Sequence, residues 1–180
     1  GVVRITASEV IGIEVLPPIL ADLAATHPPI AFELVASNET ADLLRRDADI
    51  AVRMVKPTQG ALISRKIGGI PIGIYAHRRY LDRHGTPNSF EDLAAHHFIG
   101  FDRELAYVRE MLKNIPYFPD TRFAFRSDSN VAQLAMIRAG AGIGMSQVGI
   151  AARDPDLVEL LPGHLKLELM TYLVMHENLK

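Results

Sequence analysis

The order of apolar patterns along the chain predicts an α/β fold with a parallel sheet. In the first fifty-odd positions, extended β-rich stretches alternate with helix-compatible ones in the order β-α-β-α-β. Hydrophobic residues make up 48% of the 180, enough for one sizeable core or two smaller ones, and charged residues are too few for a disordered chain. The chain has no cysteine, which removes disulfides and thiolate metal sites and suits a reducing compartment, with the cytoplasm expected.

The elements follow from local chemistry. "VVRITA" (2–7) is a strand, Ser8 stands where a helix N-cap would, and helix-compatible residues begin at Glu9. Pro17 and Pro18 interrupt that helix, but proline is accepted in a first turn, so "PPILADLAAT" restarts as a second helix and ends over His27 to Pro29. "IAFELVA" (30–36) is a strand, "NETADLLRRD" a helix and "ADIAVRM" (48–54) a short buried strand. "ALISRKIGGIPIGIYAH" reads as two extended segments broken at Gly68-Gly69. The helix in "RRYLDRHG" stops at Gly85, "SFEDLAAHH" is a helix with Ser89 at its cap, and "HFIGF" and "RFAFRS" are strands flanking a polar, helix-compatible stretch from Asp102 to Asn114.

"SDSNVAQLAMIRAGAGIGMSQ" (127–147) carries Gly140, Gly142 and Gly144 at alternate positions. A dinucleotide-binding loop has its glycines after a strand and at the start of a helix. Here a breaker-free helix runs into Gly140 instead, so the glycines are a C-cap leading into a strand, "GIGMS". The other end of that helix, with Ser127, Asp128 and Ser129, offers capping oxygens and outward N–H groups. Ser8 and the group Ser37, Asn38, Thr40 repeat this strand-end, helix-start pattern, which an open α/β sheet presents at its ligand-binding edge.

Catalytic and metal motifs fail on spacing. "GMSQVG" (144–149) places its second glycine three residues after Ser146, one too many for a nucleophile elbow. His96-His97 are adjacent and His77 and His84 lie seven apart, neither of which is a helical zinc spacing. The pairs Asp47/Asp49, Glu91/Asp92 and Asp154/Asp156 sit at turns and helix ends, where caps and solvated faces are the ordinary roles, and spacing alone leaves open an acid/base pair assembled in three dimensions. No metal or cofactor is expected. "NET" (38–40) matches a glycosylation sequon short enough to arise by chance. A net charge of −2 gives no long-range attraction for nucleic acid, and no apolar run is long enough for a membrane span or signal peptide.

Four segments in order carry a family resemblance: "VVRITASEVIGIEVLPPILADLAATHP", "LLRRDADIAVR", "YLDRHGTPNSFEDLAAHHFIGF" and "RSDSNVAQLAMIRAGAGIGMSQVGIAARDPDLVELLP". Together they resemble the effector-binding domain of LysR-type transcriptional regulators over nearly the whole chain; residues 102 to 120 match little. The resemblance implies a type 2 periplasmic-binding-protein-like α/β fold: two subdomains joined by two crossover segments, with a small-molecule cleft between them. Subdomain I would comprise 1–70 and 173–180, and subdomain II 71–172, with "IPIGIYA" and "LMTYLVM" carrying the chain across and back. A winged helix-turn-helix would precede the domain, in keeping with the absent initiator Met, and a further C-terminal helix would follow it.

The resemblance also implies a small-molecule effector, a homodimer of effector domains and DNA contact only through the preceding module, with no membrane partner. The expected dimer helices are "PPILADLAAT" and "NVAQLAMIRAG". Expected effector contacts are Ser8, Glu9, Ser37, Asn38, Thr40 and Arg53 from subdomain I, and Phe101, Asp102, Ser127, Ser129 and Asn130 from subdomain II. Hydroxyls and helix N-termini would donate to an acceptor, Arg53 would grip a carboxylate and Phe101 would pack an apolar body. Alternatively Arg53 forms a rim salt bridge with Glu39 or Asp102. Two other functions stay open at this point: a solute-binding protein of transport type with the same fold, and an enzyme on a hinged α/β scaffold, which lacks a nucleophile motif.

Overall fold

A computed structural model describes residues 1–39, 47–54, 56, 62–103, 109, 112, 113 and 123–179. The described strands are β1 (Val2–Ala7), β2 (Ala31–Ala36), β3 (Ile50–Arg53), β4 (Leu62–His77), β5 (Phe98–Gly100), β6 (Phe123–Arg126), β7 (Gly144–Gln147), β8 (Leu157–Leu160) and β9 (Leu167–His176). The α-helices are α1 (Leu16–Thr26), α2 (Arg78–His84), α3 (Asn130–Arg138) and α4 (Val148–Ala151). The helix expected over "NETADLLRRD" and most of the polar stretch after Asp102 lie outside the described residues. The chain forms two compact units, Gly1–Ile70 with Leu169–Lys180, and Pro71–Glu168.

In the first unit β1 lies parallel between β2 and β3, and β9 returns antiparallel against β3. Side chains alternate across a strand, so the sheet buries two faces. Ala7, Val52 and Ile11 form one small core with Met54, Ile70 and Leu173. Ala48, Ala51 and Val174 form the other, with Leu62 and Tyr172.

Two expectations change here. The prolines do not break the first helix. Helical structure continues from Glu9 through a π-helical stretch, Ile11–Val15, where the Leu16 N–H reaches back to Ile11 O, and Pro17 and Pro18 then occupy the first turn of α1. One extra residue in the turn lets the chain pass two residues that have no N–H to give. β4 is likewise one 16-residue strand rather than two segments; it runs through Gly68, which takes a φ of 143° that favours glycine.

In the second unit the far half of β4 pairs antiparallel with β7 and with β8. β5 and β6 are parallel, with an irregularity between Phe98 and Ile99, and a parallel bridge from Phe98 to Ile143 brings β5 alongside the start of β7. The expected parallel sheet is therefore a mixed one, because β3-β9, β4-β7 and β4-β8 pair antiparallel among the described strands while β2-β1-β3 and β5-β6 are parallel. Ile74, Tyr80, Leu93, Phe98, Ile143 and Leu160 form the larger core, and Tyr75, Ile99, Ile137, Ala151 and Leu157 a second. Gly85 ends α2, and Ser89 caps only a 3-10 turn, Asp92–Ala95, since His96 is already extended on the way into β5.

Candidate functional site

In the first unit the expected residues gather where β1, β2 and β3 end. Arg53 closes β3 on the face it shares with Thr6, because Ala51 pairs with Thr6 and side chains alternate. Its guanidinium donates to Thr6 Oγ1 at 2.8 Å and to Ser37 O at 2.5 Å. Both acceptors are neutral, so within the first unit the salt bridge expected as an alternative, with Glu39, is not among the contacts of Arg53. Burial lowers the Arg53 pKa from its usual value, the direction expected of a desolvated cation.

Ser8 follows β1, but its hydroxyl does not cap the helix; it points to Met54 Sδ, 3.7 Å away. The capping acceptor for the Glu9 N–H is Asn38 Oδ1, at 3.0 Å, from the loop after β2. Ser37 Oγ accepts from the Glu39 N–H at 3.1 Å, turning that loop on itself. Thr40 lies outside the described residues.

The second unit gathers Phe101 and Asp102 after β5 with Ser127, Ser129 and Asn130 after β6. Ser129 caps α3, its Oγ accepting from the Ala132 N–H at 3.1 Å, and Ser127 Oγ accepts from the Ser129 N–H at 3.1 Å. Asp128, which the sequence pattern placed only among capping residues, holds the neighbouring loop. Its Oδ1 accepts from the Asp102 and Arg103 N–H groups at 3.1 and 3.0 Å, and its Oδ2 pairs with Arg103 Nε at 2.7 Å. The Arg103 N–H and guanidinium pull the Asp128 pKa below the ordinary carboxylate value.

Thr6, Met54, Asp128 and Arg103 thus join the residues expected from sequence. Their signal was local for Asp128, which stands between two expected residues, and absent for Thr6, an ordinary strand threonine until Arg53 folds back on it. Ser146 is buried within β7 and donates to Gln147 O, a strand hydroxyl rather than a nucleophile. The rings of His84 and His97 come within 5.4 Å, but among the described residues no three His, Cys, Asp or Glu are placed to hold a metal ion. No helix among the described residues is long and apolar enough to cross a membrane.

Residues 1–180 match the family model of the LysR substrate binding domain. The chain belongs to that family. As a LysR domain it is the regulatory, effector-binding part of a LysR-type transcriptional regulator and not an enzyme, which settles the choice between regulator, solute-binding protein and enzyme. An HTH-type transcriptional regulator of Haemophilus influenzae is 28% identical over 170 residues, 91% of this chain and 58% of that protein. The Mau operon transcriptional activator of Paracoccus denitrificans is 31% identical over 157 residues, 87% of this chain and 49% of that protein. The LysR domain thus spans about half the length of these relatives. The regulatory domain of CrgA, a LysR-type regulator from Neisseria meningitidis, has the same fold at a TM-score of 0.88 and 24% identity, covering 99% of this chain and 90% of that one. The regulatory domain of AphB from Vibrio vulnificus follows at 0.75 and 20%, covering 100% and 93%. The fold is the mixed α/β, type 2 periplasmic-binding-protein-like fold of LysR regulatory domains.

Proposed function

We propose that this LysR domain senses a small anionic or strongly polar effector, with its contacts drawn from strand-end loops such as the one that presents Arg53. Binding would bias the arrangement that a helix-turn-helix elsewhere in the full-length cytoplasmic regulator reads on DNA. The observation that carries this is Arg53: a half-buried guanidinium whose two bonds go to a hydroxyl and a carbonyl. A desolvated cation held by neutral acceptors keeps its full charge and favours an anion. The net charge of −2 leaves DNA contact to the other part of the regulator. No membrane partner enters this reading.

Self-association completes the reading. α1 has no buried residue, and Ile19 and Leu23, one turn apart on it, are 48% and 40% exposed. Such an apolar stripe suits a two-fold pairing of effector domains, with α1 of one copy against α3 of the other.

The test is calorimetric titration of benzoate and of its uncharged analogue benzamide into the unaltered chain and into Ser8→Ala, Arg53→Ala and Arg53→Lys. A charge-assisted hydrogen bond contributes about 1.5–3 kcal/mol, so Arg53→Ala weakens benzoate binding about tenfold or more, while benzamide binds the unaltered chain more weakly than benzoate and loses little in Arg53→Ala. Unchanged affinity in both alanine variants refutes this placement of the site.

A further inference from the structure

The two units repeat one hydrogen-bonded arrangement at their strand ends. In the first, Ala36 pairs with Ala7 across β2 and β1. Ser37 N–H donates to Ala7 O at 2.9 Å, Ser37 Oγ accepts from Glu39 N–H at 3.1 Å, and Asn38 Oδ1 accepts from Glu9 N–H at 3.0 Å. In the second, Arg126 pairs with Gly100 across β6 and β5. Ser127 N–H donates to Gly100 O at 2.9 Å, Ser127 Oγ accepts from Ser129 N–H at 3.1 Å, and Asp128 Oδ1 accepts from Asp102 N–H at 3.1 Å.

The offsets are the same in each bond. One residue past the paired position stands a serine, next an Asn or Asp, and the side chain of that residue reaches the second residue past the paired position on the neighbouring parallel strand. The sequences "SNE" (37–39) and "SDS" (127–129) share only the serine and an Asx side chain, the two features the bonds use. Neither Asx side chain serves its own loop in these bonds. α3 has its own cap in Ser129, and the Asn38 and Asp128 acceptors are spent on the loops after β1 and β5. Those are the loops that carry Ser8 and Glu9 in one unit and Phe101 and Asp102 in the other.

We propose that Asn38 and Asp128 are equivalent positioning residues, one in each unit, fastening the loop after one strand to the loop after its parallel neighbour and so preforming, within each unit, the loops that carry the expected effector contacts. This rests on the effector-binding reading given above. A loop held before the ligand arrives does not have to be ordered on binding, and affinity gains by that saved entropy. The pair differ in one respect. Asn38 is an uncharged acceptor, whereas Asp128 also pairs with Arg103 Nε.

The test uses Asn38→Ala and Asp128→Ala beside the isosteric Asn38→Asp and Asp128→Asn. Amide hydrogen exchange is read by NMR at Glu9, Asp102 and Arg103 in the ligand-free chain, with Ile137 as the core reference, together with benzoate affinity. Asn38→Ala speeds exchange at Glu9, and Asp128→Ala at Asp102 and Arg103, on the order of tenfold; benzoate binding weakens several-fold in both, and the isosteric variants restore exchange and binding. Unchanged exchange at those amides overturns the fastening. Faster exchange with benzoate affinity intact, while Arg53→Ala still weakens it, overturns the positioning role and leaves the site standing. No benzoate binding by the unaltered chain removes the site reading and the preformation with it.

Discussion

The hydroxyl of Tyr80 and Nδ1 of His96 lie 3.0 Å apart in the interior of the second unit. The phenol oxygen also accepts from the backbone N–H of His97 at 3.0 Å. The phenol oxygen thus meets a fixed donor, the His97 amide, and one imidazole nitrogen. Burial lowers the His96 pKa, the neighbouring His84 and His97 add to this, and Asp92 opposes them.

A folded-state pKa below the unfolded one means that the unfolded chain takes up the proton first as the pH falls. Stability therefore falls as pH drops below about 6.5, the usual histidine value, and this contribution stops changing below the folded pKa. Thermal melts between about pH 7 and pH 5 show the decline, and His96→Gln, which keeps an acceptor for Tyr80 without the titration, flattens it. An identical slope in the variant removes His96 as the cause.

Gly142→Ala destabilises the second unit. A Cβ there would stand 2.5 Å from the His97 carbonyl oxygen, which accepts from the Ile143 N–H at 2.8 Å and belongs to the junction between β5 and β7. A backbone atom cannot move aside as a side-chain tip can, and the strain amounts to roughly 1–3 kcal/mol. Gly149→Ala, with nothing within 4 Å of the added carbon, is the control. Equal melting temperatures for the two variants contradict the expectation.

Ser129→Ala removes the hydroxyl that caps α3 and exposes the Ala132 N–H. The loss is about 1 kcal/mol, and Ser129→Asp retains most of the stability because its carboxylate accepts the same bond. Chemical denaturation separates the three proteins by their midpoints at constant slope.

Ile19→Glu combined with Leu23→Glu leaves the fold intact, since neither side chain is buried in the single chain, and shifts the protein toward monomer by placing charges in the proposed pairing face. Sedimentation equilibrium reads this. A monomeric unaltered chain at high concentration contradicts the pairing itself.

Local patterns located most elements because their causes are local. Gly140 ends α3 at φ 75°, with its N–H bonded to Ile137 O, as a glycine after a breaker-free helix should. That disposes of a phosphate loop from sequence order alone. At Pro17-Pro18 and Gly68-Gly69 a breaker residue is answered by its surroundings: a widened helical turn in one case, a glycine φ within a continuous strand in the other.

By itself the sequence determined the family, the α/β class, the absence of thiol chemistry and the clustering of hydroxyls and amides at strand ends, all of which depend on composition or on contacts a few residues apart. Only the tertiary structure decided which atoms those residues meet. Arg53 reaches Thr6 47 residues away, Asn38 reaches Glu9 across 29, and Asp128 reaches Asp102 across 26. Propensity and capping rules extend about one helical turn. Partners at such separations are set instead by which strands lie side by side and in what register, and that is decided when the whole core packs.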